Sequence, residues 1–524
     1  MNTLFSLIIN LLTIIYGSVT CDGTPVEGVT VSDGVEVVRT DKNGSYSIES
    51  KNRYGYVFIS VPGGYMCETD GSAPLFWQKV MGTTDAEEHS FRLVKEDNSK
   101  HRVLVSTDYH LADRKRSKDI QTFQDMFIED VKEQASTGVP TYGIALGDVT
   151  WDIYWKNYSL ERYAVQAKEF PVTTFNVMGN HDNDMDKEGD FEAEQMFRKF
   201  IGPTFYSFNL GQCHYVVLDN TIYINKNRSR SHDTYVSKEQ LDWLEKDLAN
   251  VHADTPVFIC MHSAAFRIKA VNGEVGKIDI GFAFSNDKYE KRLGNILKGH
   301  SNVHILTGDT HINQSFPPSV MPKGFSNVYE HNIAAASATW WWTTYLNETS
   351  ICKDGSEGGY MVFDNDRTDI TWRYKAMKYD FCKQFRTYDF NTVKEYFDNN
   401  EMVPAFFNRY PQRERYNDLN ENMVLINIWN WDPNWTIKVT ENGAELPVTQ
   451  HHIEDPLHTI SYDIPRTYKN GEITRSFRTI KTHHIFSVQA SGPDSTLEIT
   501  VTDPFGNISK ETMTRPKAFN TTMD

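Results

Sequence analysis

Residues 103–110 read VLVSTDYH, a short apolar run that ends on a carboxylate, Asp108, and an imidazole, His110. Four later stretches repeat the design. Residues 144–152 (IALGDVTWD) deliver Asp148, and residues 175–182 (FNVMGNHD) deliver Asn180, His181 and Asp182. Residues 257–262 (VFICMH) end on His262, and residues 305–311 (ILTGDTH) on Asp309 and His311. Apolar runs of this length, rich in β-branched residues, read as buried strands. Between them lie helical patterns. Residues 117–135 place Ile120, Phe123, Phe127, Ile128 and Val131 at helical spacing, and residues 238–248 (KEQLDWLEKDL) read as a polar-faced helix. Strand–helix alternation of this kind predicts an α/β unit. In such sheets ligands bind beyond the carboxyl ends of the strands. Five strand ends would therefore gather these polar groups in one crevice, with Gly147, Gly179 and Gly308 letting the backbone turn sharply beside them.

The gathered groups have a common chemistry. Carboxylates, imidazoles and an amide oxygen suit borderline-hard divalent ions such as Zn, Mn or Fe. A shared carboxylate such as Asp148 would bridge two cations and offset their repulsion. Two ions roughly 3.5–4 Å apart form a clamp for in-line attack at phosphorus, one acidifying a water and both polarising phosphate oxygens.

The flanks differ from this centre. Residues 16–98 alternate Val and Ile with polar residues and are punctuated by Asp-Gly and Asn-Gly pairs, which predicts an N-terminal β-sandwich. Residues 99–348 hold the motifs. Residues 349–518 turn β-rich again, and the chain after about residue 515 reads as a frayed tail. Before all of this, residues 1–15 carry a short apolar run that predicts a leader peptide and so an exported protein. No other long apolar run occurs, so no transmembrane span is expected.

Bulk composition narrows the function. A net charge of −17 excludes a basic nucleic-acid-binding face, so no nucleic-acid partner is expected. A small phosphate ester stays compatible if metals supply the positive charge. Six cysteines without a Cys-x-x-Cys pair exclude a disulfide scaffold or a zinc knot. Nothing in the composition reads on oligomeric state.

The motifs in this order, D-x-H, G-D, G-N-H-D, a strand-end His and a final G-x-x-H, resemble the calcineurin-like metallophosphoesterases over residues 100–345. Residues 19–34 (VTCDGTPVEGVTVSDG), 202–220 (GPTFYSFNLGQCHYVVLDN) and 427–435 (NIWNWDPNW) extend the resemblance to a three-part bacterial subfamily with β-rich N- and C-terminal domains. The resemblance implies a metallophosphoesterase β-sandwich flanked by helices. It implies two divalent ions (Mn, Fe, Zn or Mg), with Asp108, His110 and His311 on one, Asp148 bridging, and Asn180, His262 and the residue at 309 on the other. His181 matches the general acid that protonates the leaving alkoxide, oriented by Asp182. Two departures stand out. The last motif of the family is Gly-His-x-His, whereas Gly308-Asp309-Thr310-His311 stands here, which would harden the second site toward Mn, Mg or Fe. Trp151 replaces the metal-binding tyrosine of purple acid phosphatases, so no tyrosinate-bound ferric centre is expected.

Substrate contacts are less marked. Trp340, Trp341 and Arg114 are candidates, against alternatives of core packing for the tryptophans and a solvated charge run for the arginine. A small-molecule, lipid or sugar phosphoester is the expected substrate. The scarcity of cations near the motifs tilts the expectation to a diester or an ester with a large leaving group. The reading from another class is an exported glycan- or partner-binding surface protein whose metal site has degraded at Asp309.

Overall fold

The computed structural model describes residues 12–225, 231–347, 349–417 and 419–523. At its centre two sheets pack face to face. The first runs Thr173–Asn176, Thr141–Ala145, Lys100–Ser106, Gly359–Asp366 and Asp369–Ala376, its first three strands parallel and the last two an antiparallel hairpin on its edge. The second runs Tyr206–Leu210, Cys213–Val217, Val257–Cys260, Val303–Thr307, Val328–Asn332 and Gln314–Phe316, parallel through its middle. Aromatic side chains join the inner faces. Phe175 stacks on Phe208 with ring centroids 3.7 Å apart, and Phe258 meets Phe363 edge-on at 5.6 Å.

Helices cover the outer faces, as the alternating pattern requires. Segment 119–135, with a π-helical stretch Phe123–Ile128, packs with Leu160–Ala167 on the first sheet through Phe123, Phe127, Val131 and Tyr163. Lys238–Leu248 and Asp287–Leu297 cover the second through Leu241, Leu244, Leu293 and Leu297. Ser237 and Asn286 cap these two helices, each side chain accepting a backbone N–H of the first turn.

The N-terminal unit is all β, a six-stranded and a four-stranded sheet that share a core with the central unit. Its strand Tyr56–Ser60 lies beside Tyr206–Leu210, where the Ser207 hydroxyl donates to Ser60 Oγ at 3.0 Å. The C-terminal region holds two four-stranded antiparallel sheets around Trp431, Trp435 and Phe486, and Trp429 joins the central core.

The hairpin 359–376, grouped by its alternation with the C-terminal region, is instead the edge of the central sheet, because Gly359–Asp366 pairs with Lys100–Ser106. The C-terminal region also carries helices over Phe390–Asn399, Val403–Arg409 and 456–470. Its tail is not frayed: Phe519 is buried among Tyr388, Tyr396 and Phe390. At the other end, the leader reading covers residues 1–15, of which 1–11 lie outside the described residues, while Thr13, Ile14 and Ile15 belong to strand Thr13–Cys21 and pair with Ser45–Ser50. All six cysteines are free thiols. Among the described residues no helix is long and apolar enough to cross a membrane.

Candidate metal centre

Every motif residue follows the carboxyl end of a strand. Asp108 and His110 follow Lys100–Ser106, Asp148 follows Thr141–Ala145, and Asn180 and His181 follow Thr173–Asn176. His262 follows Val257–Cys260, and Asp309 and His311 follow Val303–Thr307. The first three strands belong to one sheet and the last two to the other, so the site lies where the two carboxyl edges meet. The chain bends back at once: Asp108, His110, Asp148, Asp309 and His311 all adopt left-handed φ values between 45° and 64°. That conformation costs a non-glycine residue about 1–2 kcal/mol, and clustered strain of this kind marks functional sites. Two glycines make room for it. A Cβ on Gly308 would lie 2.0 Å from Thr107 Oγ1, and one on Gly179 would lie 2.2 Å from the Asp148 nitrogen.

The side chains converge. His110 Nε2 and His311 Nε2 stand 2.9 Å apart, and Asp108 Oδ1 faces them at 3.4 and 3.1 Å. Asp148 lies between two imidazoles, its Oδ2 3.8 Å from His110 Nε2 and 3.4 Å from His262 Nε2. Its other oxygen accepts the His181 backbone N–H at 2.7 Å. Around His262 Nε2 also stand Asn180 Oδ1 at 3.1 Å and Asp309 Oδ1 at 3.8 Å. Asp309 is the outlier. Its side chain is 36% exposed where the others are buried, and its backbone N–H donates to Asp108 Oδ2 at 2.9 Å.

Tautomers explain why a cation belongs here. His311 Nδ1 faces the Ala338 carbonyl at 3.0 Å and His262 Nδ1 faces the Leu146 carbonyl at 2.7 Å. A carbonyl only accepts, so both Nδ1 atoms carry the proton and both Nε2 lone pairs point inward. Asp108 Oδ1 is fully buried without a hydrogen-bond partner. Inward lone pairs and a buried, unsatisfied carboxylate oxygen are costly unless a cation sits among them. Without one, protons must substitute. Burial opposes protonation of His262, but the carboxylates of Asp148, Asp108 and Asp309 outweigh it and push its pKa well up. Burial holds His110 down at about 3. Asp108, His110 and His311 form one triad of donor atoms close enough to share an ion, and Asp108, Asp148 and His262 form another.

One orientation differs from expectation. His181 Nδ1 pairs with Asp152 Oδ1 at 2.9 Å, not with Asp182. Asp182 is the next residue on the same tight turn and points away, as adjacent residues on a helical turn do. Its carboxylate accepts from the backbone N–H groups of Gly179 and Thr150 at 3.0 and 3.1 Å, clamping one motif loop to another. Burial, reinforced by the charge of Asp148, pushes its pKa up to about 7. Asp152 was legible in principle, as a second carboxylate four residues after Asp148.

The aromatic candidates separate. Trp340 lies flat on His311 at 3.7 Å and 16°, and next to His110 at 4.9 Å, forming a wall of the site. Trp341 is fully buried and donates Nε1–H to the Tyr109 carbonyl, so it is core rather than a substrate contact. Arg114 is buried too. It donates to the Trp340 carbonyl at 2.7 Å and sits 4.9 Å from the rings of Trp151 and Trp342, holding the wall from behind. Sequence reading missed His232, which burial keeps low against the raising effect of Asp309. It lies within electrostatic reach of His262, Asp148 and His181, and an isolated histidine opening the short strand His232–Thr234 gives no signal of that.

Carboxylates and imidazoles at the strand ends of a two-sheet sandwich define a metal-dependent hydrolase architecture. Comparison with protein families agrees along nearly the whole chain. Residues 101–313 match the calcineurin-like phosphoesterase, 13–96 the N terminal of calcineurin-like phosphoesterase, and 330–508 the C terminal of calcineurin-like phosphoesterase. The chain belongs to the calcineurin-like phosphoesterases that carry both flanking domains. No curated protein matches it significantly. Solved structures to which it is similar include the 5'-nucleotidase precursor from Thermus thermophilus, at 11% identity and a TM-score of 0.28, covering 53% of this chain and 54% of that one. Another is the 5'-nucleotidase from Candida albicans, at 10% identity and a TM-score of 0.27, covering 52% and 50%. The matched part thus spans about half the length of those nucleotidases.

Proposed function

We propose that this protein hydrolyses a phosphoester at a dinuclear metal centre. Asp108, His110 and His311 would hold one ion, Asn180, His262 and Asp309 the other, and Asp148 both. Two bound divalent ions would supply Lewis-acid charge at phosphorus and lower the pKa of an attacking water. The observation that carries the reading is the pair of inward Nε2 atoms of His110 and His311, 2.9 Å apart, against the partnerless Asp108 Oδ1.

The chain supplies the rest. His181 is the one motif imidazole that is partly open, its side chain 14% exposed, and it can present Nε2 to a leaving oxygen while Asp152 holds Nδ1. That is the arrangement of a general acid whose protonated form a carboxylate favours. Trp340, Trp151 and Phe477 form an apolar rim that limits water at the mouth. The exposed edge of Asp309 makes the second position the weaker one.

Turnover of p-nitrophenyl phosphate and bis-p-nitrophenyl phosphate with added Mn tests the reading, and at least one ester is expected to react. Absence of turnover with Mn, Fe, Zn and Mg, together with no bound metal, overturns it in favour of a surface-binding protein.

A further inference from the structure

Lys353 belongs to no motif, yet the fold carries it to the metal centre. It sits in a tight turn between the central unit and the C-terminal sheets, closed by Gly355 N–H donating to the Cys352 carbonyl at 2.9 Å. The next residue, Asp354, is buried and locked. It accepts from the Asn313 backbone N–H at 2.7 Å, from Ser356 Oγ at 2.7 Å, and faces His484 Nε2 at 3.1 Å. Asn313 is two residues past His311, so this lock ties the turn directly to the metal-binding loop. Gly355 leaves no freedom either, since a Cβ there would lie 2.0 Å from the Asp455 carboxyl carbon. Lys353 is therefore held in place, not waving in solvent.

Its half-buried ammonium lies 5.5 Å from the Trp340 ring centroid, and that ring covers His311 and His110. Asp309 and Asp108 are the carboxylates that act most strongly on it. Among the described residues, however, no carboxylate reaches salt-bridge distance of its Nζ. A cation in partial burial normally takes a partner. Here the charge lies over the ring that stacks on His311 and acts within electrostatic reach of Asp309 and Asp108, so an anion held by the motif residues would meet a positive group.

Resting on the phosphoesterase reading, we propose that Lys353 binds the third non-bridging oxygen of the substrate phosphoryl group, the one a diester carries esterified, and so makes the site selective for phosphate monoesters. A monoester dianion carries one more negative charge than a diester at the same phosphorus, and Lys353 supplies the positive group that the motif neighbourhoods lack. The diester tilt expected from sequence rested on that lack, and Lys353 stands about forty residues beyond the last motif, where local reading does not find it. The C-terminal region thereby completes the active site rather than only flanking it.

The test uses the full-length, Mn-loaded protein and the variants Lys353→Met and Lys353→Arg. Inorganic phosphate binding is measured by calorimetry, and turnover is measured on p-nitrophenyl phosphate and on bis-p-nitrophenyl phosphate. A charged hydrogen bond of this kind changes affinity by about tenfold or more. Lys353→Met should therefore weaken phosphate binding by about that factor and raise KM for the monoester more than it lowers kcat. It should leave the diester nearly unchanged, and Lys353→Arg should recover much of the loss. Wild-type phosphate affinity in Lys353→Met with full metal content, or equal losses on both esters, overturns the assignment while leaving the phosphoesterase reading intact. A wild-type protein that holds metal but turns over neither ester, or holds no metal at all, takes down the underlying reading and this one with it. Should Lys353→Met fail to fold, Lys353→Gln, with a polar tip suited to a half-buried site, decides the same comparison.

Discussion

Replacing Asp152 by Asn separates this account from the one that motif order alone suggests. The substitution keeps shape and removes charge. In the protein Asp152 Oδ1 stands 2.9 Å from His181 Nδ1, with the Asp152 side chain fully buried and that of His181 14% exposed. A buried hydrogen bond to a charged partner contributes about 1.5–3 kcal/mol. If that bond holds the acid in its protonated, aligned form, its loss lowers the rate roughly 10- to 150-fold, since about 1.4 kcal/mol is a factor of ten. The effect must depend on the leaving group. An alkyl phosphate needs its departing oxygen protonated, whereas p-nitrophenolate leaves with little help. Steady-state kcat/KM measured on both esters is the assay. Asp152→Asn should cost the alkyl ester that full factor and the p-nitrophenyl ester much less. Equal losses on both esters, or a leaving-group-dependent loss in Asp182→Asn instead, would refute the assignment of Asp152.

Other expectations follow from the same geometry. Asp182→Asn weakens the clamp between the Gly147–Thr150 and Gly179–Asp182 loops, and should lower the thermal midpoint and metal affinity together, read by calorimetry with and without Mn. Gly308→Ala drives a methyl into Thr107 and should destabilise the protein by about 1–3 kcal/mol; an unchanged denaturant midpoint counts against the packing described. Trp341→Ala, a core truncation, should cost about 3–5 kcal/mol and leave KM in the surviving folded fraction untouched. Glu330 is buried, and burial pushes its pKa from 4.5 up to about 8. The folded state then binds its proton more tightly than the unfolded state, so stability falls as pH rises from about 5 to 8. Glu330→Gln should flatten that slope, and identical slopes in both proteins would contradict it.

Much of the centre was legible because its chemistry is local. Each strand announces itself by a short apolar run, and each carboxylate or imidazole follows within six residues of its strand's end. What escaped was set by pairing across long sequence distances. The alternation of residues 359–376 signals a hairpin but not which sheet it extends, and its partner Lys100–Ser106 lies about 260 residues earlier. The side chain that holds His181 depends on which way a turn presents two adjacent residues, so Asp182 was a natural choice and Asp152 the observed one. Trp340 and Trp341 are neighbours with opposite fates, one on the metal ligands and one in the core, and both stand in left-handed backbone conformations that no local pattern announces. Lys353 reaches the site only through the turn that Asp354 locks.

The central claim is that Asp148 joins two ions. Metal content of purified wild type and of Asp148→Asn, measured by plasma mass spectrometry after Mn loading, tests it most directly. The account predicts about two ions per wild-type chain, and loss of both ions and of turnover in the variant. Two ions retained in Asp148→Asn, with activity intact, would contradict it.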